Sequence, residues 1–224
     1  MARPRKDSGI EDARQRLIAS FWELLECYDL KDITVSMVAA HAGCNRGTFY
    51  YHFSDIGELV YCAIEQDLLT ECSTAETVFA IASGNAQLID PCKLAQQFSH
   101  LCLVMDKGGM KTIDDYVKPI IIGMWEAILC HEGEHLTPEA EVLVHYSASG
   151  VLGVMAYLHA NRTSMTPANV LQLFQSPFFT EMSALILAQL SIAQNVTPAQ
   201  IVERVRTLMG NGSVIEHIIT EETC

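Results

Sequence analysis

Residues Thr34–Phe53 read TVSMVAAHAGCNRGTFYYHF, and the fold turns on how these twenty residues are read. Thr34 carries the oxygen that caps a short helix, in which Val38, Ala39 and Ala42 share one face. Gly43 supplies the left-handed backbone that ends a helix, and Asn45 is a good cap for the next one. Two short helices joined by a glycine turn make a helix-turn-helix.

The second helix finishes in five consecutive rings, Phe49, Tyr50, Tyr51, His52 and Phe53. At about 100° per residue, Phe49 and Phe53 fall on one side and anchor the helix on a small core. Gly47, Thr48 and Tyr51 fall on the opposite side, with Tyr50 and His52 on the flanks. The outer face therefore carries polar-tipped rings beside Arg46 and Thr48, which suits DNA. Hydroxyl and ring N–H groups donate to phosphate oxygens, and an arginine forks onto guanine O6 and N7. Gly47 removes a side chain where a sugar-phosphate backbone must come close. No Asp or Glu occurs between residues 33 and 54. The competing reading is a surface helix of an ordinary bundle, since a short helix-turn-helix match is not rare.

Outward from this segment the pattern stays helical, and strand-like alternation is absent. Asp90-Pro91, Thr137-Pro138, Thr166-Pro167, Ser176-Pro177 and Thr197-Pro198 each put an oxygen-bearing cap before a proline at the first helical position. Asp55 with Glu58, and Thr197 with Gln200, form capping boxes. Helices are expected near 9–28, 35–42, 46–53, 56–74, 91–106, 111–131, 138–160, 167–174, 177–194 and 198–209. Residues 83–90 and 105–112 read as connections, and the last fourteen, 211–224, as a loose tail. The predicted class is all-α. A three-helix helix-turn-helix domain occupies residues 1–55, with a basic arm at 1–8, and a larger helical ligand-binding and dimerisation domain occupies 56–224.

The charge distribution follows that division. Residues 1–53 hold seven Lys/Arg against seven Asp/Glu, whereas the whole 224-residue chain carries a net charge of −13. An acidic average disfavours nucleic acid, but a neutral end on an acidic body is a weaker objection. The eight cysteines show no CxxC spacing and follow no secretory signal, so reduced, mostly buried thiols in a cytoplasmic protein are expected. The long uncharged run Val142–Asn161 contains His145, Ser147, Ser149, His159 and two glycines, and reads as a buried helix rather than a membrane span.

The stretch TVSMVAAHAGCNRGTFYYHFSDIGELVYCAI (34–64) resembles the DNA-binding region of the TetR family of bacterial transcriptional regulators. The shared features are a Thr-capped helix, an Ala-rich segment ending in Ala-Gly, a Ser/Asn-led recognition helix with T-F-Y-x-H-F, and Glu-Leu opening the fourth helix. The likeness extends from Ile10 to Leu69. It implies DNA contacts from Ser36, Arg46, Gly47, Thr48, Tyr50, Tyr51 and His52, with Asn45 leading the same helix. Many relatives carry a phosphate-gripping lysine where this sequence has Ile56. Each lost phosphate contact flattens the salt slope by roughly one. The arm ARPRK (2–6) could compensate.

The resemblance further implies a homodimer on a palindromic duplex operator, an unidentified small-molecule effector, no cofactor, and repression as the commoner mode. Small residues Ser147, Ala148, Ser149, Gly150 and Gly153 let a neighbouring helix approach, which favours 138–160 and 177–194 for the dimer face. Intramolecular packing would explain the same residues. Phe98, Cys102, Met105, Tyr116, Met124, Trp125, His145 and Tyr157 are the candidate pocket wall by residue type.

One rival motif remains. His131-Glu132-Gly133-Glu134-His135 matches HExxH, which needs both histidines on one face of a continuous helix. Gly133 and the new start at Thr137-Pro138 argue for a helix end and a loop instead. A metal site on His131 and His135, extended by His100 or His145, is one alternative, and a helix-turn-helix protein acting through a protein partner is another. No catalytic constellation appears, and an enzyme is not expected.

Overall fold

The computed structural model describes residues 6–69, 91–131, 133–161 and 167–209, which are helical and contain no strand. The expected connection at 83–90, the tail at 211–224 and the arm up to Arg5 lie outside the described residues. They divide into two compact units, one holding residues up to Asp67 together with Leu101–Val117, the other holding the remainder.

In the first unit, α1 (Lys6–Cys27), α2 (Val35–His41), α3 (Arg46–His52) and α4 (Ile56–Leu69) follow one another through short turns. α1 presents Leu17, Phe21 and Leu25 at four-residue spacing, and these are buried with Val38, Phe49, Phe53, Leu59 and Ala63. Each such side chain contributes about 1.5–3 kcal/mol of burial. Between α1 and α4, Arg14 Nη1 donates to Gln66 Oε1 at 3.3 Å, and Gln66 Nε2 donates to Gln15 Oε1 at 2.8 Å.

α5 spans Pro91–Thr112 and is followed by one turn of π-helix, Ile113–Val117. The connection expected at 105–112 is thus corrected: the helix continues through it, and the break is confined to Gly109, at φ 71° and ψ −179°. Buried Val104, Met105 and Ile113 on either side keep the segment helical despite two glycines. Gly108 has its own reason, because a Cβ there would lie 2.3 Å from the Thr112 hydroxyl, which donates to the Gly108 carbonyl at 2.7 Å. Tyr116 in the π turn brings its hydroxyl to the start of α4, 3.2 Å from where a Cβ on Gly57 would sit.

The second unit contains α6 (Lys118–Leu129), α7 (Pro138–Ala160), α8 (Pro167–Phe174), α9 (Pro177–Gln194) and α10 (Pro198–Met209). Its core joins Trp125, Ile128 and Leu129 of α6 to Val144, Leu190, Ile201 and Val205. Thr137 caps α7 by accepting from Ala140 N–H at 3.2 Å, and Thr197 with Gln200 completes a reciprocal box at the start of α10. Ser176 precedes Pro177 as expected but makes no side-chain cap bond. Gln194 at the end of α9 accepts from Thr137 N–H at 2.9 Å and donates to the His135 carbonyl at 3.1 Å, fixing the loop before α7.

α7 is the one described helix long and apolar enough to cross a membrane. It buries a stripe, Ala140, Val144, Ala148, Leu152, Met155 and Leu158, while Val142, Tyr146 and Tyr157 are exposed. The expectation of a buried helix holds for that stripe alone.

Candidate nucleic-acid interface

Local backbone chemistry sets the recognition helix. Thr34 Oγ1 accepts from Met37 N–H at 3.3 Å and starts α2. At its end Gly43 adopts φ 65°, its N–H donating to Ala40 O and that of Cys44 to Ala39 O. This pair of bonds satisfies the last carbonyls of α2 through a left-handed glycine. Asn45 Oδ1 then accepts from Thr48 N–H at 2.9 Å and from the Thr48 hydroxyl at 3.3 Å, and α3 begins.

The ring run divides between core and surface. Phe49 and Phe53 are buried with centroids 5.7 Å apart, while Tyr50 is 51% and Tyr51 70% exposed. Ser36, Asn45, Arg46 and Gly47 are exposed, and Thr48 and His52 are half-buried. Arg46 Nη2 donates to the Tyr50 hydroxyl at 3.4 Å, with its guanidinium 5.9 Å from that ring's centroid. Tyr51 and His52 meet edge to face at 5.0 Å. Burial, and then the charge of Arg14, lower the His52 pKa, so its imidazole is neutral at pH 7 and offers one donor and one acceptor. The surface combines a guanidinium, phenol and threonine hydroxyls and an imidazole on one seven-residue helix. These groups can donate to phosphate oxygens and read base edges.

Two features here were not read from the sequence. Gly47 leaves room for the cap, since a Cβ would meet Asn45 Oδ1 at 3.0 Å. Glu58 reaches one residue beyond the expected box: its N–H donates to Asp55 Oδ1 at 2.9 Å, but its carboxylate accepts from Ser54 N–H at 2.5 Å. Gly47 between a capping acceptor and its donor, and Ser-Asp before Glu58, were the available signals.

The second unit holds a cavity of about 290 Å³ between α6, α7 and α9. Its walls include Ile121 and Trp125, then Tyr146, Ser147, Gly150 and Val154, then Phe178, Met182 and Ile186. Among the candidate pocket residues, Trp125 lines it. Met124 is buried, whereas His145 and Tyr157 are exposed. Cys102, Met105 and Tyr116 belong to the first unit, and the side chain of Phe98 lies outside the described residues.

The described residues of the HExxH segment, 131 and 133–135, are not helical. Gly133 takes φ 83°, His131 and His135 are exposed, His131 N–H donates to Glu134 Oε2 at 2.9 Å, and His135 Nδ1 contacts Glu126 Oε1 at 3.1 Å. Among the described residues no group of three or more His, Cys, Asp or Glu side chains is placed to hold a metal.

Residues 17–61, covering the second half of α1 through the first turns of α4, match the family model described as bacterial regulatory proteins, tetR family. No curated protein matches the chain.

Proposed function

We propose, from the match of residues 17–61 to the tetR family model, that the chain is a helix-turn-helix regulator of that family rather than an enzyme, and that it acts as a cytoplasmic homodimeric repressor whose grip on a palindromic operator is modulated by a small molecule. The observation that carries the DNA-binding part is the division of α3, which buries Phe49 and Phe53 and turns Arg46, Tyr50 and Tyr51 outward. Ser36, Asn45, Gly47, Thr48 and His52 complete the contact set.

The apolar faces of α7 and α9 support the dimer. Tyr146, Tyr157, Phe178, Leu185 and Ile192 are all exposed on them, Phe178 at 66% and Ile192 at 72%. Among the described residues a Cβ built on Gly150 or Gly153 meets nothing within 4 Å, so packing against them gives no reason for either glycine. A second copy laid along the same face gives one, since small residues let helices approach closely. A two-fold dimer sets two recognition helices about 34 Å apart, in successive major grooves.

The cavity between α6, α7 and α9 is the candidate effector site, of a size for a small, mostly apolar molecule. α4 is the candidate lever, and the Tyr116 contact at Gly57 bears on its first turn. A coupling of about 1–3 kcal/mol is the ordinary range for such control. No membrane role is proposed.

One observation favours a second reading. Arg46 is the sole Lys or Arg between Lys31 and Lys93, and the chain is acidic overall, which suits a helix-turn-helix surface that binds a protein partner. Selection of bound sequences from a random duplex library, at low and moderate salt, decides between them. A palindrome enriched by the protein and lost by Arg46→Ala/Tyr51→Ala is the expected result. A folded dimer that enriches nothing at either salt would sink operator recognition by the ligand-free protein.

A further inference from the structure

Arg14 of α1 touches both α4 and the end of α3. Its Nη1 donates to Gln66 Oε1 of α4 at 3.3 Å, and its guanidinium carbon lies 5.6 Å from the centroid of the Phe53 ring, the residue that closes α3. Phe53 is buried, and its ring lies 6.3 Å, centroid to centroid, from that of His52. The charge of Arg14 also reaches the His52 imidazole, second to burial among the causes that lower its pKa. Gln15 orients the contact to α4. Gln66 Nε2 donates to Gln15 Oε1 at 2.8 Å and Gln15 Nε2 donates to Gln66 Oε1 at 3.4 Å, so the Gln66 amide is held by a reciprocal pair with its oxygen shared by the guanidinium.

This arrangement makes the end of the recognition helix sensitive to where α4 lies. Gln66 comes nine residues after Gly57, the residue beside the Tyr116 hydroxyl. About 13 Å of helix therefore separates the two, and a tilt of α4 by about 6° on its first turn moves Gln66 by roughly 1.4 Å. The bond from Arg14, already at 3.3 Å, does not survive such a shift. The guanidinium then loses its anchor on α4, while Phe53 stays in the core. Beside Phe53 stand His52 and Tyr51, which meet edge to face at 5.0 Å and belong to the DNA-facing set.

We propose that Arg14 is a positioning residue for DNA recognition: held by Gln66, it braces the His52 end of α3 and makes duplex affinity follow the position of α4. The proposal rests on the DNA-binding reading of α3 and on α4 as the lever.

The test uses the full chain and two readouts. Fluorescence anisotropy on a labelled duplex carrying the selected operator compares native protein with Gln66→Leu, Arg14→Met and the double variant, and circular dichroism follows folding in each. Each single variant is expected to weaken binding roughly three- to tenfold, and the double variant no more than the weaker-binding single, as for residues acting in one line of contacts. The second readout involves no DNA: the imidazole titration of His52 by NMR, assigned with His52→Gln. Gln66 bonds to Arg14 and Gln15, so a His52 titration that moves upward in Gln66→Leu, toward that of Arg14→Met, reports release of the guanidinium. If Arg14→Met does not fold, Gln66→Leu decides with both readouts. Native protein that binds while folded Gln66→Leu binds equally well overturns the positioning role and leaves the DNA reading intact. An unmoved His52 titration in Gln66→Leu, or losses that multiply in the double variant, also overturns it, because the two side chains then act separately. A native chain that binds no duplex overturns the DNA reading and the positioning role together.

Discussion

The outer face of α3 and the outer faces of α7 and α9 both expose aromatic rings, yet the groups around those rings differ. On α3 the exposed rings are Tyr50 and Tyr51, and their neighbours are Arg46, Thr48 and a neutral His52, so every apolar surface ends in a donor or acceptor. On α7 and α9 the exposed rings Tyr146, Tyr157 and Phe178 stand among Val142, Leu185 and Ile192, beside glycines with open space over them. Apolar side chains left exposed in this way are unfavourably hydrated until another apolar surface covers them. The α3 face can stay wet at little cost, because its polar tips keep their water until phosphate replaces it. An exposed ring therefore says little alone, and its neighbours within one helical turn decide what it meets.

The sharpest way to break this comparison is to put charge on each face in turn. Phe178→Glu with Ile192→Glu is expected to weaken self-association by at least about 100-fold, since charged groups would be buried at the centre of the interface. Light scattering should report the mass of a single chain while circular dichroism is unchanged. Tyr51→Glu is the mirror experiment, expected to leave the mass alone and abolish duplex binding. A monomeric native protein, or a charged variant that still dimerises, would remove the basis of the contrast.

A smaller effect tests whether the α3 face is built from its own cap. Asn45→Ala is expected to cost about 1 kcal/mol in urea unfolding, while Asn45→Asp keeps most of the stability. Gly47→Ala should lose part of the same increment, because its methyl would press on Asn45 Oδ1 at 3.0 Å. Equal stability of all three variants would show that α3 is held by Phe49 and Phe53 alone.

The smallest effect concerns pH. Burial, followed by the charge of Arg14, holds the His52 pKa below its ordinary value of 6.5 in the folded state. The unfolded chain then binds a proton more readily than the folded one, so folding favours the neutral ring. The stability this contributes is present above the ordinary value and is lost as pH falls through the lower folded value. His52→Gln should flatten the stability profile just below the ordinary imidazole range, and an unchanged slope would count against the assignment.

Much of the helix pattern in both units was legible because its determinants are local. Thr34, Gly43, Asn45, Thr137 and Thr197 act on backbone groups within four residues, and the four-residue spacing of Phe49 and Phe53 fixes their common face. The same reasoning kept residues 131–135 out of a metalloprotease reading, since Gly133 and the new start at Thr137-Pro138 signal a helix end, and Gly133 takes φ 83° in the structure. Local reasoning failed where packing outweighed propensity. Two glycines at 108 and 109 read as a connection, yet buried neighbours carry the helix through and leave a single break.

The sequence by itself determined the helical class, the capped helix starts, and the division of α3 into a buried and an outward face. These depend on dihedral preferences and on a 3.6-residue period, both properties of adjacent residues. Only the tertiary structure decided which apolar side chains wall the cavity, with Trp125 alone among the candidates lining it, and which stripe of α7 stays uncovered. It also decided that Glu58 reaches Ser54 and that Gly47 clears the Asn45 cap. Those outcomes depend on where distant or non-repeating atoms come to rest, and a one-dimensional pattern holds no record of the distances.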